Sequence, residues 1–172
     1  GLGLGAACLP AGAGTHWMAR AESVRESAET AHVTGHLVTA HQSYLRASEY
    51  YRQAYYFLRA DLDDQRLHDA YHARCDTFRH AMELLPHTSV PIVADEVAIP
   101  YADNRSAVGG RTDIHAWLFR PVIDPNRLSP TIVMPCGYDS TAESGWIFAQ
   151  GALARGYNVL SVEGPVSYTH LR

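Results

Sequence analysis

From Ala31 to Arg59, apolar side chains return every three or four residues: Val33, Leu37, Ala40, Tyr44, Ala47, Tyr51, Tyr55 and Leu58. Steps of that size collect on one side of an α-helix, so the spacing predicts an amphipathic helix. The stretch from His16 to Glu29 is also compatible with helix, with weaker periodicity. Asp61, Asp63 and Asp64 then offer carboxylates to cap a further helix. Its apolar side would carry Leu67, Tyr71, Cys75, Phe78, Met82 and Leu85. Pro86 has no N–H to give to a helix and limits its continuation.

After Pro86 the period changes. Val90 to Pro100 is rich in Val and Ile, and Asp103 to Arg111 reads as a turn containing Gly109 and Gly110. Thr112 to Arg120 alternates, with Ile114, Ala116, Leu118 and Phe119 as its apolar positions, and predicts a strand. Thr131 to Met134 is a short, continuous apolar run and predicts a buried strand. A helix is expected from about Thr141 to Arg155, and Tyr157 to Val162 is another apolar run. Strand, helix and strand in succession point to a crossover in a parallel sheet, so the expected fold class is α/β behind a helical region. A sheet with so few strands would leave unpaired backbone at its edge, which suggests an incomplete domain.

Composition narrows the picture. Of the 172 residues, 47% are hydrophobic and 19% charged, which fits a globular chain. A net charge of -4 gives no reason to expect nucleic acid or an anionic membrane as partner. All 14 basic residues are Arg, scattered along the chain, which points to a GC-rich, bacterial genome. Cys8, Cys75 and Cys136 are odd in number and far apart, against a disulfide framework and in favour of the cytoplasm. The longest apolar stretch is too short to span a bilayer. The opening Gly1 to Gly14 is rich in Gly and Ala and lacks a starting Met.

The segment from Met134 to Glu143 carries the most chemistry. Gly137 permits a tight turn in which backbone N–H groups point past the end of the strand. A helix N-terminus beyond it would add partial positive charge, and both features suit an anion or a developing oxyanion. Ser140 and Glu143 have capping-box spacing, and Gly156 stands where a helix end wants a left-handed residue. Any strand-to-helix turn in an α/β fold can carry a glycine and a cap, and from the turn alone that plainer reading is favoured. The turn lacks the glycine patterns of dinucleotide and nucleoside triphosphate sites, so no cofactor is expected. No G-x-S-x-G occurs in the chain, so Ser140 reads as a cap rather than a nucleophile, and Asp139 as a turn residue.

Two histidine pairs, His32 with His36 and His68 with His72, have the i, i+4 spacing of zinc ligands. Neither forms H-E-x-x-H and no third ligand is evident, so no metal site is expected. Tyr44, Tyr50, Tyr51, Tyr55 and Tyr56 could line an aromatic pocket, but packing is the favoured reading. Arg46, Arg52 and Arg59 are expected to pair with Glu49 and Asp61 or to stay solvated.

Three pieces together resemble one group of enzymes. The run from Tyr44 to Arg52 resembles the cap helix of α/β-hydrolases related to dihydroxypseudooxynicotine hydrolase, the fungal polyketide-shortening hydrolases and the FrsA-like esterases. Thr131 to Met134 and Gly137 to Ser140 resemble their strand and oxyanion-hole loop. Arg155 to Leu160 and Glu163-Gly164-Pro165 resemble their next strand and its E-G-P-G-x-G turn, although the final G-x-G is missing. Cys136 is a second departure, where a small residue, often Gly, is expected.

The resemblance runs from roughly His16 to Pro165. It implies an incomplete serine hydrolase acting on an ester, amide or activated C–C bond beside a carbonyl. The backbone N–H of Tyr138 would help to hold the oxyanion, with Gly137 permitting the turn. The nucleophilic Ser, the acid and the His would lie later, outside this chain. Its expected partner is a small-molecule carbonyl substrate of the full-length parent; a homo-oligomer is allowed, and neither nucleic acid nor membrane is expected. The expected organisation is a poorly structured start at 1–14, a helical cap region at 15–86 and the first part of a hydrolase core at 87–165. Val166 to Arg172 does not continue the pattern and reads as translated sequencing-adapter DNA, so His170 is not a candidate catalytic histidine. The alternative is a non-catalytic helical interaction module with a small sheet.

Overall fold

The computed structural model describes residues 12–59, 61–88, 91–102, 111–122, 128–137 and 140–163. The chain divides into two compact units, Gly1–Leu84 and Leu85–Arg172.

The first unit is three helices: α1 (Ala13–Val33), α2 (Leu37–Leu58) and α3 (Gln65–Glu83). The helix expected to run through Ala31 to Arg59 is broken at Gly35. Gly35 has φ 79°, and the amides of Gly35 and His36 bond back to the carbonyls of His32 and Ala31 at 3.0 and 2.8 Å. That pair of bonds closes α1 with a Schellman motif, which only a left-handed residue completes cheaply. Val33, read as part of the buried stripe, is therefore 89% exposed. Beyond the break the stripe is as expected, with Ala40, Tyr44, Ala47, Tyr51, Tyr55 and Leu58 buried.

Asp64 caps α3, its carboxylate accepting the Arg66 N–H at 2.9 Å. Leu67, Tyr71, Cys75, Phe78 and Met82 form the buried side of that helix. The helix gives way to a short 3-10 turn, Leu85–His87, that contains Pro86. One core cluster joins α1 to α2 through Ala21, Val24, Ala47 and Tyr51. Two polar contacts join α2 to α3: Ser48 Oγ donates to the Arg74 carbonyl at 2.9 Å, and His41 Nδ1 lies 2.7 Å from the Ala81 carbonyl. A carbonyl only accepts, so His41 carries its proton on Nδ1 there.

The second unit is a mixed sheet with one helix: β1 (Ile92–Ala102), β2 (Arg111–Pro121), β3 (Thr131–Pro135), α4 (Gly145–Leu153) and β4 (Asn158–Val162). The strand order is β1-β2-β4-β3. β1 and β2 pair antiparallel along their whole length, β4 runs antiparallel to β2, and β3 runs parallel to β4. The predicted β3–helix–β4 crossover is therefore present, with an antiparallel pair added beside it. Phe119 of β2 packs on Trp146 of α4, ring centroids 5.3 Å apart, and Trp117 stacks beside Phe119 at 6.2 Å. With Val159, Ala149 and Leu153 these rings form the buried centre of the unit.

One expectation needs correcting. β3 was expected to be buried, but it is the edge of the described sheet, with Ile132 42% and Val133 61% exposed. In β2 the face that includes His115, Trp117 and Phe119 is buried, because α4 covers it. Among the described residues no helix is long and apolar enough to cross a membrane.

Candidate active site

The turn after β3 leaves the sheet where the parallel pair β3 and β4 ends. Main-chain bonds hold both of its flanks. The Cys136 N–H donates to the Val162 carbonyl at 2.9 Å, and the Ser140 N–H donates to the Gly137 carbonyl at 3.1 Å. Gly137 is exposed just past the strand. A Cβ built on it would meet nothing within 4 Å, and its φ lies outside the left-handed region. Tyr138 and Asp139 lie outside the described residues.

The helix starts later than its sequence suggests. A 3-10 turn, Ala142–Ser144, precedes α4, and neither Thr141 nor Ser144 caps with its side chain. The S-x-x-E capping box does not form, because Glu143 turns inward and lies 3.0 Å from His115 Nε2. The far end of α4 behaves as expected. Gly156 has φ 84°, and the amides of Gly156 and Tyr157 bond to the carbonyls of Leu153 and Ala152 at 2.9 and 3.1 Å.

α4 lies very close to the strands. A Cβ on Gly145 would fall 2.1 Å from Ser161 Oγ and 2.8 Å from Met134 Cε, so only glycine fits. Around this contact Pro135, Cys136, Gly137, Ser140, Thr141 and Phe148 help to line a cavity of about 180 Å³. That is below the usual range for small-molecule sites, about 300–1,000 Å³. Cys136 Sγ lies 3.7 Å from Ser161 Oγ at its base. Cys75 and Cys136 form no disulfide.

Sequence reasoning missed a buried polar cluster behind the turn. His115, Glu143 and Glu163 offer a ring nitrogen and two carboxylate oxygens within 4.8 Å of one another. All three residues are at least 95% buried. His115 Nδ1 faces a fourth group, Glu96 of β1, at 3.4 Å. The available signal was His115 at an inward position of a strand otherwise carrying Trp117 and Phe119. Of the histidine pairs with zinc-ligand spacing, His36 Nδ1 meets Thr34 Oγ1 at 3.0 Å, and His68 Nε2 meets the Leu62 carbonyl at 3.0 Å.

No protein-family model matches the chain. Individual proteins do. Hydrolase acrC of Aspergillus aculeatus is 33% identical over 158 residues, covering 87% of this chain and 35% of its own length. The 20-hydroxy-prefusarin hydrolase FUS2 of Gibberella moniliformis is 32% identical over 150 residues, covering 87% of this chain and 33% of its own length. The alpha/beta hydrolase xenA of Xenoacremonium sinensis is 30% identical over 153 residues, covering 87% of this chain and 32% of its own length. The crystal structure of 2,6-dihydroxy-pseudo-oxynicotine hydrolase superposes with a TM-score of 0.63 at 19% identity, covering 87% of this chain and 37% of that one.

The chain is similar to α/β-hydrolases over most of its length. It spans about a third of the length of the curated hydrolases it matches. These relatives are fungal, so the bacterial source suggested by the arginine bias is in doubt. The alternative of a non-catalytic helical module gains nothing from them.

Proposed function

We propose that this chain is the N-terminal portion of a serine enzyme that cleaves an ester, amide or activated C–C bond beside a carbonyl in a small molecule. One observation carries the reading: β3 runs parallel to β4 at one end of a β1-β2-β4-β3 sheet, and the turn after β3 opens at the C-terminal edge of that pair. In open α/β sheets that edge is where ligands bind. A backbone N–H there, assigned to Tyr138, would meet the negative charge of a tetrahedral intermediate. The small volume of the cavity suits one wall of a site whose other wall lies elsewhere in the parent.

The helices α1 to α3 are proposed as a helical cap region, with regions 15–86 and 87–165 as cap and core. The nucleophilic Ser, the acid and the His would come from the remaining length of the parent, in that order. The Ser would attack the carbonyl carbon, and the acyl-enzyme would then be released by water. A cytoplasmic setting belongs to the same proposal, supported by the odd number and wide spacing of the three cysteines in the sequence.

A fluorophosphonate probe tests the reading. The full-length protein should be labelled at a serine within G-x-S-x-G, and this chain alone should not be labelled. Robust labelling of a serine in this chain, or none in the active full-length protein, would overturn it.

A further inference from the structure

We propose that Glu163, with the pair His115–Glu143, is a buried brace that positions the oxyanion turn; the inference rests on the hydrolase reading above. Three segments far apart in sequence meet there. The Glu163 N–H, just past β4, donates to the His115 carbonyl in β2 at 2.9 Å. The Glu163 carboxylate accepts the Ala142 N–H at 3.3 Å, at the first residue of the 3-10 turn. The side chain of Glu143, the next residue along, returns to His115 Nε2 at 3.0 Å. The contacts close a ring: β2 to the end of β4, the end of β4 to the 3-10 turn, and the turn back to β2.

That ring determines where the chain re-enters the fold after the turn. Thr141 and Ala142 are 1% and 0% exposed, and the Ala142 amide is held by a carboxylate rather than by the helix ladder. On the other flank, Cys136 is tied to Val162, one residue before Glu163. Both flanks are thus referenced to the same two residues at the tip of β4. Burying two carboxylates and an imidazole is costly, and apolar residues of similar volume would pack more cheaply. What the ionic groups supply is direction, since each bond fixes one main-chain position relative to another. Oxyanion stabilisation depends on donor placement, and an error of about 1 Å can cost about 10²-fold in rate.

Two measurements test the brace. In this chain, amide exchange over residues 136–145 is followed for wild type, Glu163→Ala and Glu163→Gln. The alanine variant should exchange faster at Ala142, and glutamine, which keeps an acceptor oxygen, should restore protection. Unchanged exchange in the alanine variant would overturn the brace whatever the activity of the parent.

In the full-length hydrolase, p-nitrophenyl acetate turnover is measured for the same variants and for Glu143→Ala, each checked by thermal melting. Glu163→Ala should lower kcat about 10–100-fold with KM nearly unchanged, and Glu163→Gln should recover most of the loss. Unchanged kcat, a loss confined to KM, or no rescue by glutamine would overturn it. If Glu163→Ala fails to fold, Glu143→Ala decides by the same kcat criterion. A wild-type parent with neither turnover nor fluorophosphonate labelling would refute the hydrolase reading instead. Stoichiometric uptake of zinc by this chain, abolished by His115→Ala, would make the cluster a ligand set and overturn the brace.

Discussion

Tyr51 is 1% exposed, yet its hydroxyl reaches Glu22 of α1 at 2.5 Å. Arg25 pairs with the same carboxylate and, with Tyr51, holds it below the usual range. Burial pushes the Tyr51 phenol up, and the facing Glu22 pushes it further. Tyr51→Phe should therefore lower the stability of the helical unit by about 1 kcal/mol, read from far-UV melting. The pH response has two limbs. The lowered Glu22 stabilises the fold above its unfolded value near 4.5, and that contribution is lost as pH falls. The raised Tyr51 contributes below its unfolded value of 10.0 and is lost as pH rises through its folded value. The melting temperature of the helices should stay flat between about pH 6 and 9 and fall at both extremes, the acid limb weakened because the Glu22 side chain is 46% exposed. A melting temperature that keeps rising below about pH 4 would contradict this assignment. At this scale the sequence was partly legible. Asp64 capped as read, and the Arg52–Glu49 pair formed at 2.6 Å. Glu143 was misread because its spacing from Ser140 is local, whereas its partner His115 is 28 positions away.

At the level of elements, periodicity located the second and third helices and the last helix, because each buries one continuous side. It did not show the end of α1, where apolar residues continue in register across Gly35 and only the left-handed backbone breaks the helix. Nor did it show that β3 is exposed. Burial of a strand depends on its neighbours, and the order β1-β2-β4-β3 is set by contacts distant in sequence. The close approach of α4 to β4 was equally hidden, since Gly145 reads as an ordinary helix residue. Gly145→Ala should destabilise the second unit by about 1–3 kcal/mol, because Ser161 Cβ, 2.7 Å from the new methyl, sits next to the backbone and cannot swing away. Chemical denaturation followed by Trp117 and Trp146 fluorescence would show it. An unchanged midpoint would mean that α4 shifts freely on the sheet.

For the whole molecule, the two units differ in how far apart their contacting segments lie. The helical unit is built from neighbours in sequence, α1 against α2 and α2 against α3. The sheet is not. β2 and β3 are consecutive strands that do not pair with each other, and β4, the last of the four, lies between them. While β4 is absent, β3 has no hydrogen-bonded neighbour among the described residues and α4 has no β4 to rest on. During synthesis, the helices can close as soon as they emerge, whereas the sheet waits until Val162 has cleared the ribosomal exit tunnel. A truncated chain released from the ribosome with Tyr157 as its last residue should resist protease over residues 13–83 and be cut readily between 128 and 157. Extension through Glu163 should protect both stretches together. A strand so placed acts as a latch, and its arrival commits half of the polypeptide in one step.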